Sequence, residues 1–112
     1  MKKVEALIRP EKLEDLREAL DAKGFHGMTV TEVKGRGKQK GITLEWRVGE
    51  YRVEFMPKVK VELVIQEKDL DVVIKTITAV CSTGSMGDGK IFISSVEDVM
   101  RISTRERGMA AL

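Results

Sequence analysis

The sequence predicts an α+β domain in which two helices lie over one face of a single antiparallel sheet. Three observations carry that prediction. The segment from Lys58 to Ile65 alternates strictly between polar and apolar residues, as a strand with one buried face must. Leu70, Val73, Ile74, Ile77 and Cys81 recur at helical spacing and form an apolar stripe. Strand-like and helix-like stretches follow one another in the order βαββαβ, the split βαβ or ferredoxin-like arrangement.

The elements can be justified in order. Residues 3–8 read as a strand, with Val4, Ala6 and Ile8 on one face and Lys3, Glu5 and Leu7 on the other. Pro10 suits the first turn of a helix, Leu13, Leu16 and Leu20 continue it, and Gly24 is placed to stop it. Residues 28–33 are rich in β-branched side chains and read as a second strand. A charged stretch punctuated by Gly35, Gly37, Gly41 and Gly49 then runs to Pro57. After the strand at 58–65 and the helix at 70–81, a glycine-rich turn leads into a fourth strand at Ile91. The tail predicts a turn of helix at 96–98 and a short strand around Arg101.

The sheet face without helices should carry Glu5, Leu7, Lys60, Glu62 and Val64. That mixture is too apolar for free solvent and too charged for a monomer core, so it is expected to be buried against other copies of the chain.

Composition bounds the function. The chain has 112 residues, 42% hydrophobic and 34% charged, which fits one globular domain. No apolar run approaches the roughly 20 residues of a membrane span, and the N-terminus lacks a signal-peptide core, so the expected location is the cytoplasm. A net charge of +2 gives no bulk footprint for nucleic acid. One cysteine and one histidine exclude an internal disulfide framework and disfavour a structural zinc site within one chain. They also leave no Ser-His-Asp or Cys-His pairing, so the expectation is a non-catalytic protein without a prosthetic group.

Three clusters carry candidate chemistry. Residues 84–91 nearly match a P-loop but lack the Ser or Thr after Lys90, and they join a helix to a strand rather than a strand to a helix. The Walker reading therefore fails, but Gly87, Gly89 and Lys90 can still gather backbone N–H groups and a charge around an anion. A glycine turn joining helix to strand is the bland alternative. The run from Gly35 to Gly41 is a second glycine-basic cluster, either an anion site or a solvated hinge. Arg101, Arg105 and Arg107 form a third, with the same alternative. The segment between Val33 and Lys58 is long enough to require a function or a structure of its own. Its Trp46, Arg47, Tyr51 and Phe55 resemble partner-contact residues, against the alternative of a flap folded on its own domain.

Taken together, these segments resemble the PII nitrogen-regulatory signalling family over essentially the whole chain. The likeness rests on residues 1–10, 27–35, Gln39 to Gly41, Glu50-Tyr51, 57–62, Thr83-Gly84 and 87–92. The resemblance implies one domain over 1–112, with a regulatory T-loop at about 36–56, a B-loop at about 82–90 and a C-terminal loop at about 101–112. It implies a homotrimer with ATP and ADP competing for clefts between subunits. Thr29, Gly35, Gly37, Lys38, Glu62, Val64, Gly87, Asp88, Gly89, Lys90 and Arg101 are the implied nucleotide residues. Gln39 is the implied magnesium ligand, and Gln39, Lys40, Gly41 and Lys58 the implied 2-oxoglutarate residues. The T-loop, through Trp46, Arg47 and Tyr51, would dock on an ammonium channel, glutamine-metabolic enzymes or transcription regulators, so membrane contact would be indirect. Tyr51 is also a candidate modification site. Arg36, Lys38, Ser103 and Arg105 depart from the family's usual pattern, which leaves a specialised regulator, such as one tied to nitrogenase, as an alternative.

The residues oppose two rival readings. An RNA-recognition module shares the βαββαβ order but needs aromatics on its central strands, where only Phe92 stands here. A small ATPase needs a group to position the attacking water, and none is evident.

Overall fold

The computed structural model describes residues 1–37 and 55–112 in full and, of the intervening loop, the backbone of Ile42–Trp46 and Gly49–Val53. Strand β1 (Lys2–Ile8) leads through a 3-10 turn at Pro10–Lys12 into helix α1 (Leu13–Ala22) and then strand β2 (Thr29–Gly35). Strands β3 (Ile42–Trp46) and β4 (Gly49–Val53) follow, then β5 (Met56–Ile65). Helix α2 (Leu70–Cys81), strand β6 (Lys90–Ser95) and a 3-10 turn at Gly108–Ala111 complete the chain.

The main sheet has the order β2-β5-β1-β6 and every pairing is antiparallel, so the ferredoxin-like arrangement expected from the sequence is present. Register follows from burial: Val4, Ala6 and Ile8 stand opposite Leu63, Val61 and Val59, and all six are buried. Leu16 and Leu20 of α1 and Val73, Ile77 and Cys81 of α2 close over them as one core. Each buried Val, Leu or Ile among them contributes about 1.5–3 kcal/mol relative to exposure. Thr76 is the buried polar residue among them, and its hydroxyl donates to the Val72 carbonyl at 2.7 Å.

Gly24 stops α1 as its position predicts. It adopts φ +89°, its N–H donates to Asp21, and the N–H of Phe25 donates to Leu20 at 2.9 Å. Phe25 then packs on the core, fixing the approach to β2.

The helices cover the two central strands better than the edges. Val30 on β2 and Ile93 on β6 face the helix side opposite buried Val61 and Val4, yet both remain more than two-fifths exposed. The other sheet face carries Glu5, Leu7, Lys60, Glu62 and Val64 as expected, and adds Phe92, which pairs with Glu5.

Two expectations are corrected. The segment between β2 and β5 is not a plain loop, because β3 and β4 pair in an antiparallel hairpin with Leu44 opposite Tyr51 and Trp46 opposite Gly49. The tail has no helical turn at 96–98. There the Asp98 carboxylate accepts the N–H of Val99 at 2.8 Å and of Gly108 at 3.1 Å, offering the backbone a local alternative to helix. The strand expected near Arg101 reduces to a single bridge between Met100 and Arg107.

Candidate functional site

The site begins where α2 ends. Between Cys81 and Lys90 the chain reverses through three glycines with left-handed backbone, Gly84, Gly87 and Gly89. Asp88 organises this turn from within. Its carboxylate accepts N–H groups from Thr83 at 2.8 Å and Gly84 at 3.0 Å, and also the Thr83 hydroxyl. The Thr83 hydroxyl and N–H, helped by Arg9 and Gly84, hold this carboxyl well below the usual carboxylate range.

Arg9, at the end of β1, ties the turn to the sheet. Its Nε donates to Asp88 at 3.2 Å and its Nη2 to the Met86 carbonyl at 2.8 Å. Lys58 makes a second tie, donating from Nζ to the Gly87 carbonyl. Burial first, and then Arg9, push the Lys58 ammonium below its ordinary value. Arg9 was not singled out from the sequence, where its partner lies 79 positions away and no spacing rule links them.

Beneath the turn lies a cavity of about 470 Å³. Leu7 and Phe92 supply its apolar surface, and Gly87, Gly89 and Lys90 one rim. Lys58 and the end of β2, from Gly35 to Gly37, supply the other. Six of the residues expected at a ligand site therefore come together here: Gly35, Gly37, Lys58, Gly87, Gly89 and Lys90. Asp88 has its carboxylate engaged by the turn, so any ligand contact there falls to its backbone.

The remaining expected residues stand elsewhere on the chain. Thr29 and Glu62 are register partners on the open sheet face, and Val64 lies on the same face opposite Lys3. Glu62 is held below the usual carboxylate range by a hydrogen bond shared with Glu5, then by Lys3 and Lys60. The Lys60 ammonium stands 3.4 Å away and the Lys3 ammonium 3.6 Å. Arg101 does not line the cavity. It belongs to a hairpin-like tail in which its N–H donates to the Glu106 carbonyl at 2.9 Å and its guanidinium faces the Glu106 carboxylate at 3.7 Å. Arg107 pairs with Asp98 across the base of that hairpin. Lys38, Gln39, Lys40, Gly41 and Arg47 lie outside the described residues, and Trp46 and Tyr51 are described only by their backbone.

Cys81 is a core residue, its thiol pushed up to about 11 chiefly by burial. His26 sits at the surface with Nδ1 3.0 Å from Asp21. Among the described residues no group of three His, Cys, Asp or Glu side chains is placed to hold a metal. No described helix is long and apolar enough to cross a membrane.

A family model described as nitrogen regulatory protein P-II matches residues 1–106. This chain belongs to the P-II family. It is 54% identical over 112 residues to nitrogen regulatory protein P-II 2 of Methanothermobacter thermautotrophicus, covering all of this chain and 97% of that relative. It is 52% identical to nitrogen regulatory protein P-II of Rhizobium meliloti and 52% to P-II 1 of Escherichia coli K12, in each case over the full length of both chains. P-II proteins are signalling proteins of nitrogen regulation. In this P-II chain, Leu7, Gly35, Lys58, Gly87, Gly89, Lys90 and Phe92 of the cavity come from the segments that carry the likeness in its sequence.

Proposed function

We propose that this P-II chain is a non-catalytic cytoplasmic sensor that binds ATP or ADP in the cavity beneath the glycine turn, adds 2-oxoglutarate alongside ATP, and regulates target proteins through the segment at 36–56. The observation that carries the proposal is the convergence of Gly87, Gly89, Lys90, Lys58 and the end of β2 on one cavity. Glycine N–H groups and a lysine suit phosphate oxygens, and a second lysine on the opposite rim suits a carboxylate.

Lys58 is the residue expected to meet the distal carboxylate of 2-oxoglutarate. It now donates to the Gly87 carbonyl, so the same side chain would join the effector to the nucleotide turn. Magnesium takes oxygen ligands and keeps several from phosphate and water, which needs few protein donors, and Gln39 is the proposed one. When bound, the ion would neutralise phosphate charge next to the effector. Lys38, Lys40 and Gly41 would complete the two sites.

A homotrimer is proposed because the nucleotide residues Thr29, Glu62, Val64 and Arg101 stand away from the cavity of their own chain. Neighbouring subunits would bring them to it. Target proteins would be an ammonium channel, glutamine-metabolic enzymes or regulators of transcription, met through Trp46, Arg47 and Tyr51, with Tyr51 also a candidate modification site. An RNA-recognition role is disfavoured, because the open face of β1 and β5 presents Lys3, Glu5, Leu7, Lys58, Lys60, Glu62 and Val64 and no aromatic to stack a base.

The test is a calorimetric titration of the protein with ATP and magnesium, with and without 2-oxoglutarate. Binding of 2-oxoglutarate only in the presence of ATP is the expected result, and linkage then requires ATP to bind more tightly when 2-oxoglutarate is present. No heat with any nucleotide would refute the sensor.

A further inference from the structure

Arg36 is the part of the cavity for which the proposed function gives no role. It directly follows Gly35, the last residue of β2, whose register partner is Met56. Gly35 itself lies against the Lys58 stem, where an added Cβ would stand 3.4 Å from it, so the residue after it leaves the sheet beside Lys58. The side chain is exposed and lines the same cavity as Lys58 and Lys90. Lys58 and Lys90 stand on β5 and β6 and Arg36 directly follows β2, and no carboxylate lines the cavity among the described residues. A cleft walled by one sign of charge focuses its field on a ligand of the other sign.

Their positions are ordered. Lys90 opens β6 at one edge of the sheet, beside the glycine turn. Lys58 stands on β5, and Arg36 follows β2 at the opposite edge. The turn reaches back over the cavity as far as Lys58, through the Gly87 carbonyl. An anion seated on Lys90 and the glycine N–H groups therefore has Lys58 and then Arg36 in the direction away from β6.

We propose that Arg36 is a specificity-determining residue that contacts the outermost anionic group of a nucleoside polyphosphate and so selects ligands by the number of their phosphates. The proposal rests on nucleotide binding in this cavity. A guanidinium binds a phosphate through paired N–H donors, which an amide cannot replace and an ammonium replaces only as a point charge.

The experiment is calorimetry of the full-length protein with ATP and with ADP, for the parent chain, Arg36→Gln and Arg36→Lys. Arg36→Gln is expected to weaken ATP binding by roughly tenfold or more while changing ADP binding by less than about twofold. Arg36→Lys should lie between Arg36→Gln and the parent for ATP and match the parent for ADP. An equal loss for both nucleotides would reduce Arg36 to a general contributor of charge and overturn the proposal, as would no loss for either. If the parent binds neither nucleotide, the sensor itself is refuted and this residue's role falls with it. If the parent binds both and the ATP-to-ADP ratio is unmoved in Arg36→Gln, only the role of Arg36 is refuted.

Discussion

A methyl group placed on Gly89 would stand 1.6 Å from the carbonyl oxygen of Leu7. The turn that leads into β6 thus closes against the backbone of β1 with no room for any side chain. Gly89 also has φ +103°, which L-residues rarely adopt. Sheet geometry and turn geometry impose the same residue here, and that residue forms the rim of the cavity.

Alanine substitutions separate the two demands. Gly84 shares the left-handed backbone, at φ +80°, but an added methyl there meets nothing within 4 Å. Gly84→Ala should therefore cost only the backbone penalty, about 1–2 kcal/mol of stability. Gly89→Ala should cost more, because the turn must also move off β1, and nucleotide binding should fall with it. Thermal melts and calorimetry of both variants provide the check. Equal destabilisation would show that the Leu7 contact relaxes freely.

The Asp88 carboxylate should hold its turn far into acid. Its folded pKa is depressed, so its stabilising contribution is present above the unfolded value of about 3.9 and is lost only as pH falls through the lower folded value. The amide resonances of Thr83 and Gly84 should stay constant from neutral pH down through the ordinary aspartate value of about 3.9 and move only well below it. A transition centred at the ordinary aspartate value would mean that these N–H groups are not bound to Asp88. Asp88→Asn replaces one acceptor oxygen with a donor among donors, and should loosen the turn and weaken nucleotide binding while leaving the buried core intact.

Lys58 offers a titration with the opposite chemistry. Burial and Arg9 lower its folded pKa, so the charged form is less favourable in the fold than in the unfolded chain. Stability should rise with pH between the folded value and about 10.4, the unfolded one. A carboxylate partner favours the ammonium. Carbon NMR of the lysine ε-methylene should therefore give a midpoint below the ordinary lysine value in the free protein, and a higher one with ATP, magnesium and 2-oxoglutarate bound. A midpoint unmoved by 2-oxoglutarate would place its carboxylate elsewhere.

Assembly can be tested by mass. Val30, Phe92 and Ile93 are each between two-fifths and three-fifths exposed, and all three lie on edge strands of the sheet. Burial of these separate positions against other copies should give a particle of three times the 12.6 kDa chain in light scattering. A particle of one chain mass would require another explanation for these residues.

Much of this architecture could be read before any coordinates. Alternation in β1 and β5 assigned each residue to its face, since a slip of one position would turn Val4, Ala6 and Ile8 out to solvent. The glycines of the 84–89 turn could be located, because left-handed backbone leaves a compositional mark. The hairpin of β3 and β4 was harder. Ile42, Leu44 and Trp46 do alternate, but glycines and charges on both sides obscure the pattern. The tail misled because Val96, Glu97 and Asp98 suit a helical turn by type, whereas the Asp98 carboxylate takes local N–H groups instead. Arg9 with Asp88 and Lys58 with the Gly87 carbonyl join residues 79 and 29 positions apart, and only the folded sheet supplies that information.

The register of β2 on β5 has an evolutionary consequence. Gly35 and Met56 are paired, so the chain leaves the sheet and re-enters it at the same rung of one ladder. Closing a longer excursion between two fixed points costs only about 0.6 kcal/mol for each doubling of its length. The twenty residues from 36 to 55 can therefore diverge in length, charge and shape with little penalty to the core that anchors them. Selection can redraw that excursion while the sheet beneath it stays the same, so one scaffold can carry segments of quite different character.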